Sequence, residues 1–239
     1  LEAGILLIME FGYPDCDPEG CRQALDSLAH QLEQKLDLNA DPSQVVSTLT
    51  HLLFQQELFR GNKKNYLDPD NSYINKVLEN KTGLPITLSI LCVLVASRLS
   101  LPIVGVGLPG HYIAKYNHPK NPVYFDPFHQ GRLLTRADCI QIMEQFGHPF
   151  EEIYLSQSTH QETLIRMMNN LIQVYQGSNE TKKADTLSDY IKILMNPSKD
   201  PFSKIFSFTC FSAVLTKSLS ALLEFSHLVI RFFNRLLLF

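Results

Sequence analysis

An α+β fold is predicted on three observations. Apolar residues recur at helical spacing through the first 60 positions. The period then changes, and 103–128 holds three short apolar runs bounded by prolines, glycines and asparagines, the pattern of a small antiparallel meander. Helical spacing returns after residue 134 and dominates the last third of the chain.

The opening run 5–9 is too short for a secretory leader and has no basic lead-in, so it reads as part of a helix. In 21–36 a stripe of Ala24, Leu25, Leu28, Ala29, Leu32 and Leu36 follows Asp17-Pro18, an N-cap with proline in the first turn. Asp41-Pro42-Ser43 repeats that start signal for a second helix, with Val45, Val46, Leu49, Leu52 and Leu53 inward and Phe59-Arg60-Gly61 at its end. The polar stretch 62–71 carries turn chemistry and reads as a loop. Ser72 is placed to cap a short helix over 73–80, which Lys81-Thr82-Gly83 breaks. Residues 84–99 are nearly all apolar, with Pro85 in the first turn, so this helix is expected to be buried on every side. Three strands are expected over 103–108, 111–116 and 123–128, then a helix over 134–146.

Helices over 163–175 and 182–195 make a hairpin across Gly177-Ser178-Asn179. Leu171, Tyr175, Ala184 and Pro197 fall at the spacing of tetratricopeptide positions, without that repeat's usual Trp and Gly. One such unit cannot bury its own face and is expected to fold back on the core. In 201–239 many phenylalanines and leucines accompany Lys204, Lys217, Arg231 and Arg235 against Glu224. The charges interrupt each apolar run short of the ~20 residues of a spanning helix. Docking helices, a basic amphipathic pair on a membrane surface or partner, and a segment foreign to the domain all fit. The expected organisation is a helical layer over 1–60, a core over 61–155, a hairpin over 156–200 and an apolar basic tail over 201–239.

With 239 residues, 45% hydrophobic and 19% charged, the composition is that of a soluble globular protein. A formal net charge of -3 argues against a basic nucleic-acid-binding surface, so no nucleic-acid partner is expected. Cys16, Cys21, Cys92, Cys139 and Cys210 form no C-x-x-C pair, and reduced thiols in the cytoplasm are the expectation. A start at Leu1 is what a piece of a longer protein would show. No glycine-rich phosphate loop and no G-x-S-x-G elbow occur, and no cofactor is expected. Asp68 and Asp70 offer too few oxygens for a hard cation, and no metal site is expected.

Three pieces can carry chemistry together. Gly83-Leu84-Pro85-Ile86-Thr87-Leu88-Ser89 opens the buried helix, Gly107-Leu108-Pro109-Gly110-His111 sets a histidine at the start of a strand, and Phe125-Asp126-Pro127-Phe128 sets an aspartate on the next. Adjacent antiparallel strands can place His111 beside Asp126. The carboxylate would fix the imidazole's tautomer and leave its other nitrogen as a base, with a helix N-terminus facing the pair. His118, His129 and His148 lie by prolines or glycines and read as surface loop residues.

These motifs, with Asn62 and Tyr66-Leu67-Asp68-Pro69-Asp70-Asn71-Ser72 before them, resemble the bacterial SirB family over residues 1–196. The core is also similar to a domain of some F-box proteins of ubiquitin ligases. The resemblance implies a papain- or transglutaminase-like core with a small antiparallel sheet, followed by tetratricopeptide-like helices, and no settled activity. The wider transglutaminase-like superfamily has a Cys at the helix start, a His on one strand and an Asp on the next. His111 and Asp126 match the last two, while 85–87 holds no Cys. Cys92 lies about two turns further and reads as a core thiol. Thr87 and Ser89 are the hydroxyls near the helix start, and Tyr66, Asn71, Ser72 and Pro85 are candidate cleft residues. Two functions stay open: a non-catalytic binding, adaptor or regulatory protein with a protein partner, and a hydrolase or acyl-transfer enzyme using His111 and Asp126 with a hydroxyl or displaced thiol.

Overall fold

The computed structural model describes residues 1–37 and 39–196, so the basic tail expected over 201–239 lies outside the described residues, as does Pro197. Three helices open the chain: α1 (Glu2–Gly12), α2 (Pro18–Glu33) and α3 (Pro42–Thr50). Their starts follow from the Asp-Pro pairs. Asp17 accepts the Glu19 N–H, and Asp41 accepts those of Ser43 and Gln44 while the Gln44 side chain returns to the Asp41 N–H. Each cap meets donors that a helix start leaves orphaned. A π-helical turn, His51–Gln56, continues α3 and seats Leu52, Leu53 and Phe54 in the core. The chain then reverses at Leu58, whose φ is +61°.

Next come β1 (Arg60–Gly61), a 3-10 turn (Pro69–Ser72), α4 (Ile74–Asn80) and β2 (Thr82–Gly83). β1 and β2 pair in parallel, Arg60 opposite Thr82 and Gly61 opposite Gly83, a contact absent from the sequence expectation. Ser72 does not cap the helix as expected. The cap position is Tyr73 without a side-chain bond, and the buried Ser72 hydroxyl makes no hydrogen bond among the described residues.

Helix α5 (Pro85–Arg98) is the spine. From Pro85 to Ala96 every residue but Val93 is buried. An all-apolar helix is stable only where neighbours cover all its sides. Here α2 packs on it, as do β3 (Ile103–Val106) and β4 (Ile113–Tyr116). β5 (Val123–Asp126) and β6 (Arg132–Leu134) complete an antiparallel sheet in the order β3-β4-β5-β6. The sheet has one strand more than the sequence predicts. The third strand also ends earlier, at Asp126, because Pro127 begins a 3-10 turn (Pro127–His129). α6 (Arg136–Gln145) covers part of the sheet around a cluster of Val106, Leu108, Ile113, Leu134, Cys139 and Met143.

The hairpin of α7 (His160–Gly177) and α8 (Thr181–Met195) packs back on the rest of the chain. Leu164, Met167, Leu171, Ala184 and Leu187 enter the same apolar cluster as Ile5, Leu25, Leu91 and Phe125. Within it the hydroxyls of Tyr73 and Tyr175 share a buried hydrogen bond of 2.6 Å. Among the described residues no helix is long and apolar enough to cross a membrane.

Removing one of those hydroxyls strands the other in an apolar core, whereas removing both leaves nothing unpaired. Tyr73→Phe or Tyr175→Phe alone should lower unfolding free energy by ~1–3 kcal/mol, and the double variant by less than the sum. Urea unfolding of the four proteins measures the coupling, and additive losses would count against it.

Candidate functional site

Asp126 is the last residue of β5, and its carboxylate caps the turn that follows. Oδ1 accepts the N–H groups of Phe128 at 3.0 Å and His129 at 3.3 Å. Oδ2 is thereby aimed at two imidazoles. The His111 Nε2–H donates to it at 2.8 Å and the His129 Nδ1–H at 2.8 Å. The Asp126 side chain is 3% exposed, that of His111 9% and that of His129 46%, so the cluster runs from core to surface. Burial alone would push the Asp126 carboxyl up. The hydrogen bonds and charge of His111, and then of His129, outweigh burial and hold it below the usual carboxylate range.

His111 stands two residues before β4 rather than on it. Ala114 lies opposite Phe125, so continuing the register sets Ile113 across from Asp126. His111 is then the diagonal neighbour on the same face. A tight turn delivers it, closed by the His111 N–H on the Leu108 carbonyl at 3.1 Å. Gly110 has φ +77°, and a Cβ there would lie 2.2 Å from the Phe146 ring, so only glycine fits. Arg166 of α7 donates to the His111 carbonyl at 2.8 Å, tying the hairpin to this turn.

The pair opens onto a cavity of about 550 Å³ whose walls include Tyr66, Pro85, His111, Phe128 and His129, with α6 opposite. Phe128 is the hub of the aromatic wall, its ring edge-on to Tyr66, His111 and His129 at centroid distances of 6.0, 6.4 and 5.3 Å. A Cβ at Gly61 would lie 2.5 Å from the Phe128 ring, so β1 needs its glycine to let that ring in.

The other candidates are distributed differently. Pro85, the first residue of α5, faces the cavity with His111. The Thr87 hydroxyl accepts the Leu84 N–H at 2.9 Å and donates to the Asn71 carbonyl at 2.6 Å. The Ser89 hydroxyl donates to the Pro85 carbonyl at 2.8 Å. Both are buried and tied to main chain, and among the described residues no hydrogen bond joins either to the His111 ring. Asn71 and Ser72 do not line this cavity. The Asn71 side chain clamps the preceding loop, donating to the Asn65 and Tyr66 carbonyls and accepting from Asn62. Cys92 is wholly buried and its thiol is pushed up by desolvation, and burial pushes Cys139 up to about 11. Neither supplies thiolate at neutral pH.

Sequence reasoning left His129 on a surface loop and missed its bond to Asp126. The available signal was the i,i+3 spacing of Asp126 and His129 across Pro127, which a 3-10 turn brings to one side. With His129 present, His111, Asp126 and His129 offer three ligand atoms within 4.8 Å of one another.

A family model of the transglutaminase-like superfamily matches residues 19–169. A UPF0162 protein of Xylella fastidiosa is 30% identical over 192 residues, covering 78% of this chain and 68% of its own. A UPF0162 protein of Pseudomonas aeruginosa is 29% identical over 170 residues, with 70% and 62% covered. F-box only protein 21 of Mus musculus is 27% identical over 161 residues, which is 64% of this chain and 25% of that one. No solved structure matches the chain significantly.

The depressed carboxyl of Asp126 links stability to pH with a fixed sign. Its contribution is complete above the ordinary carboxylate pKa, about 4, and is lost as pH falls through the lower folded value. Asp126→Asn should cost ~1.5–3 kcal/mol at pH 7, the range for charged hydrogen bonds. The gap to the native protein should narrow in denaturant unfolding below about pH 4. A gap constant with pH would contradict the assignment.

Proposed function

The chain belongs to the transglutaminase-like superfamily, alongside the UPF0162 proteins, and on that premise we propose that it is a non-catalytic member, a binding or adaptor protein that receives a segment of a protein partner in the cavity before His111. Pro85 is the observation that carries this reading. Among the cavity walls, the start of the central helix is where the superfamily resemblance puts the nucleophile, and a proline ring stands there instead. Thr87 and Ser89 spend their hydroxyls on carbonyls, and Cys92 is sealed in the core. What remains is a recess with a polar floor and an apolar rim. Tyr66 and Phe146 line it while 46% and 53% exposed, the amphipathic lining that binds extended polypeptide. The likeness to F-box only protein 21 supports a protein-interaction role. A cytoplasmic location fits the free thiols Cys16, Cys21, Cys92 and Cys139.

One observation favours a second reading. An imidazole oriented by a buried carboxylate can act as general base on a water held in the cavity, giving a hydrolase without a protein nucleophile. Ester or amide turnover abolished by His111→Ala in a folded protein would support it over the binding reading.

Two measurements test the proposal. Incubated with p-nitrophenyl acetate, the full-length protein should show no acyl adduct on Thr87, Ser89 or Cys92 by intact-mass and peptide spectrometry, and such an adduct would overturn the non-catalytic reading. Pro85→Cys should place a thiol at a helix N-terminus beside His111, where a lowered pKa is expected. It should react with iodoacetamide at neutral pH roughly tenfold faster than Cys16, and His111→Ala in that background should remove the advantage. Equal rates would mean that Pro85 does not hold the nucleophile's place.

A further inference from the structure

We propose that His111, Asp126 and His129 form a binding site for a divalent transition-metal ion, open toward the cavity. This goes beyond the binding reading above and holds whether or not the protein is catalytic. Two imidazole nitrogens and a carboxylate oxygen suit first-row ions such as Zn²⁺, Fe²⁺, Co²⁺ or Ni²⁺.

The spacing carries the inference. His111 Nε2 and His129 Nδ1 each lie 2.8 Å from the same oxygen, Asp126 Oδ2, and the three ligand atoms are mutually within 4.8 Å. Ligands about 2.1 Å from one ion stand roughly 3.0 Å apart when they meet at right angles and roughly 3.4 Å apart in a tetrahedron. The two nitrogen–oxygen spacings therefore match adjacent corners of an octahedron, and rotation of the half-exposed His129 ring would bring the second nitrogen to the ion, a two-histidine, one-carboxylate set with the remaining positions open. Those positions have room, because all three residues line the cavity of about 550 Å³.

The supporting shell is already built. Asp126 Oδ1 is fixed by the N–H groups of Phe128 and His129, which leaves Oδ2 as the ligand atom. The His111 backbone is held by Arg166 and by the turn from Leu108. Without an ion, the two imidazole N–H groups satisfy Oδ2. An ion takes their place once each ring carries its proton on the other nitrogen, His111 on Nδ1 and His129 on Nε2, and the rings turn toward the ion. Among the described residues on the cavity wall, the one Arg or Lys, Arg132, is paired with Asp138 at 2.7 Å, which moderates its repulsion of a dication.

The test is calorimetric titration of the full-length protein, stripped with EDTA and dialysed, with Zn²⁺ and separately with Co²⁺. About one equivalent should bind, and Co²⁺ should give the weak visible bands of five- or six-coordination rather than intense tetrahedral ones. His129→Gln should weaken binding by at least about tenfold. Its ring is half exposed, so the fold survives, as circular dichroism will verify. The exposed His148→Gln, outside the cluster, should bind as the native protein does. No saturable binding, or the same affinity in His129→Gln as in the native protein, overturns the proposal.

Discussion

Burying a carboxylate costs several kcal/mol unless its oxygens find donors, and Asp126 is buried at the end of the third strand of the sheet. Its four hydrogen bonds shape the surroundings. Two main-chain donors fold 127–129 into a tight turn, which stops β5 and brings His129 back over the carboxylate. The two imidazoles then join that turn to the loop before β4. The loop is fixed in turn by a glycine that Phe146 leaves no room to replace, and by a guanidinium from the C-terminal hairpin. One charged group thus coordinates the sheet, the loop and the helices behind them.

The central helix supplies the other half of the arrangement. It is apolar on every face, so its neighbours must enclose it, and enclosure presents its N-terminus to the cleft. In a fold of this superfamily that position is where reactivity is created, by a helix dipole and a nearby base. Proline there keeps the helix start well formed, since its φ suits the first turn and its missing N–H costs nothing. On the proposed reading, the geometry around a nucleophile is kept while Pro85 stands in the nucleophile's place. A cleft so built keeps shape, polarity and ligand atoms, which is what the proposed binding role requires.

Long, strongly patterned features were legible in the sequence. The Asp-Pro starts of α2 and α3, the all-apolar run of α5 and the hairpin of α7 and α8 appear close to where the spacing placed them. The two-residue pair of β1 and β2 was not legible, because no period can be read from two residues and their pairing is set by tertiary packing around Phe128. β6 escaped for the same reason, being three residues long beside a helix start. Of the site, His111 and Asp126 were legible because strand adjacency brings them together. Hydroxyls in a first helical turn look available in a sequence, but Thr87 and Ser89 bond to carbonyls one turn away or across the loop, the habit of such residues in helices. His129 looked like surface because its ring is half exposed, and only the turn geometry after Pro127 reveals its partner.

The most direct measurement is the protonation pattern of the two imidazoles, read from ¹H–¹⁵N spectra of the histidine rings at neutral pH in metal-free buffer. Two rings donating to one carboxylate oxygen require the proton of His111 on Nε2 and that of His129 on Nδ1. The Nδ1–H form is the less common one for a free side chain, so finding it at His129, and losing it in Asp126→Asn, would establish the shared carboxylate. A His129 ring protonated on Nε2 in the native protein, with unchanged signals in Asp126→Asn, would contradict the cluster on which the site depends.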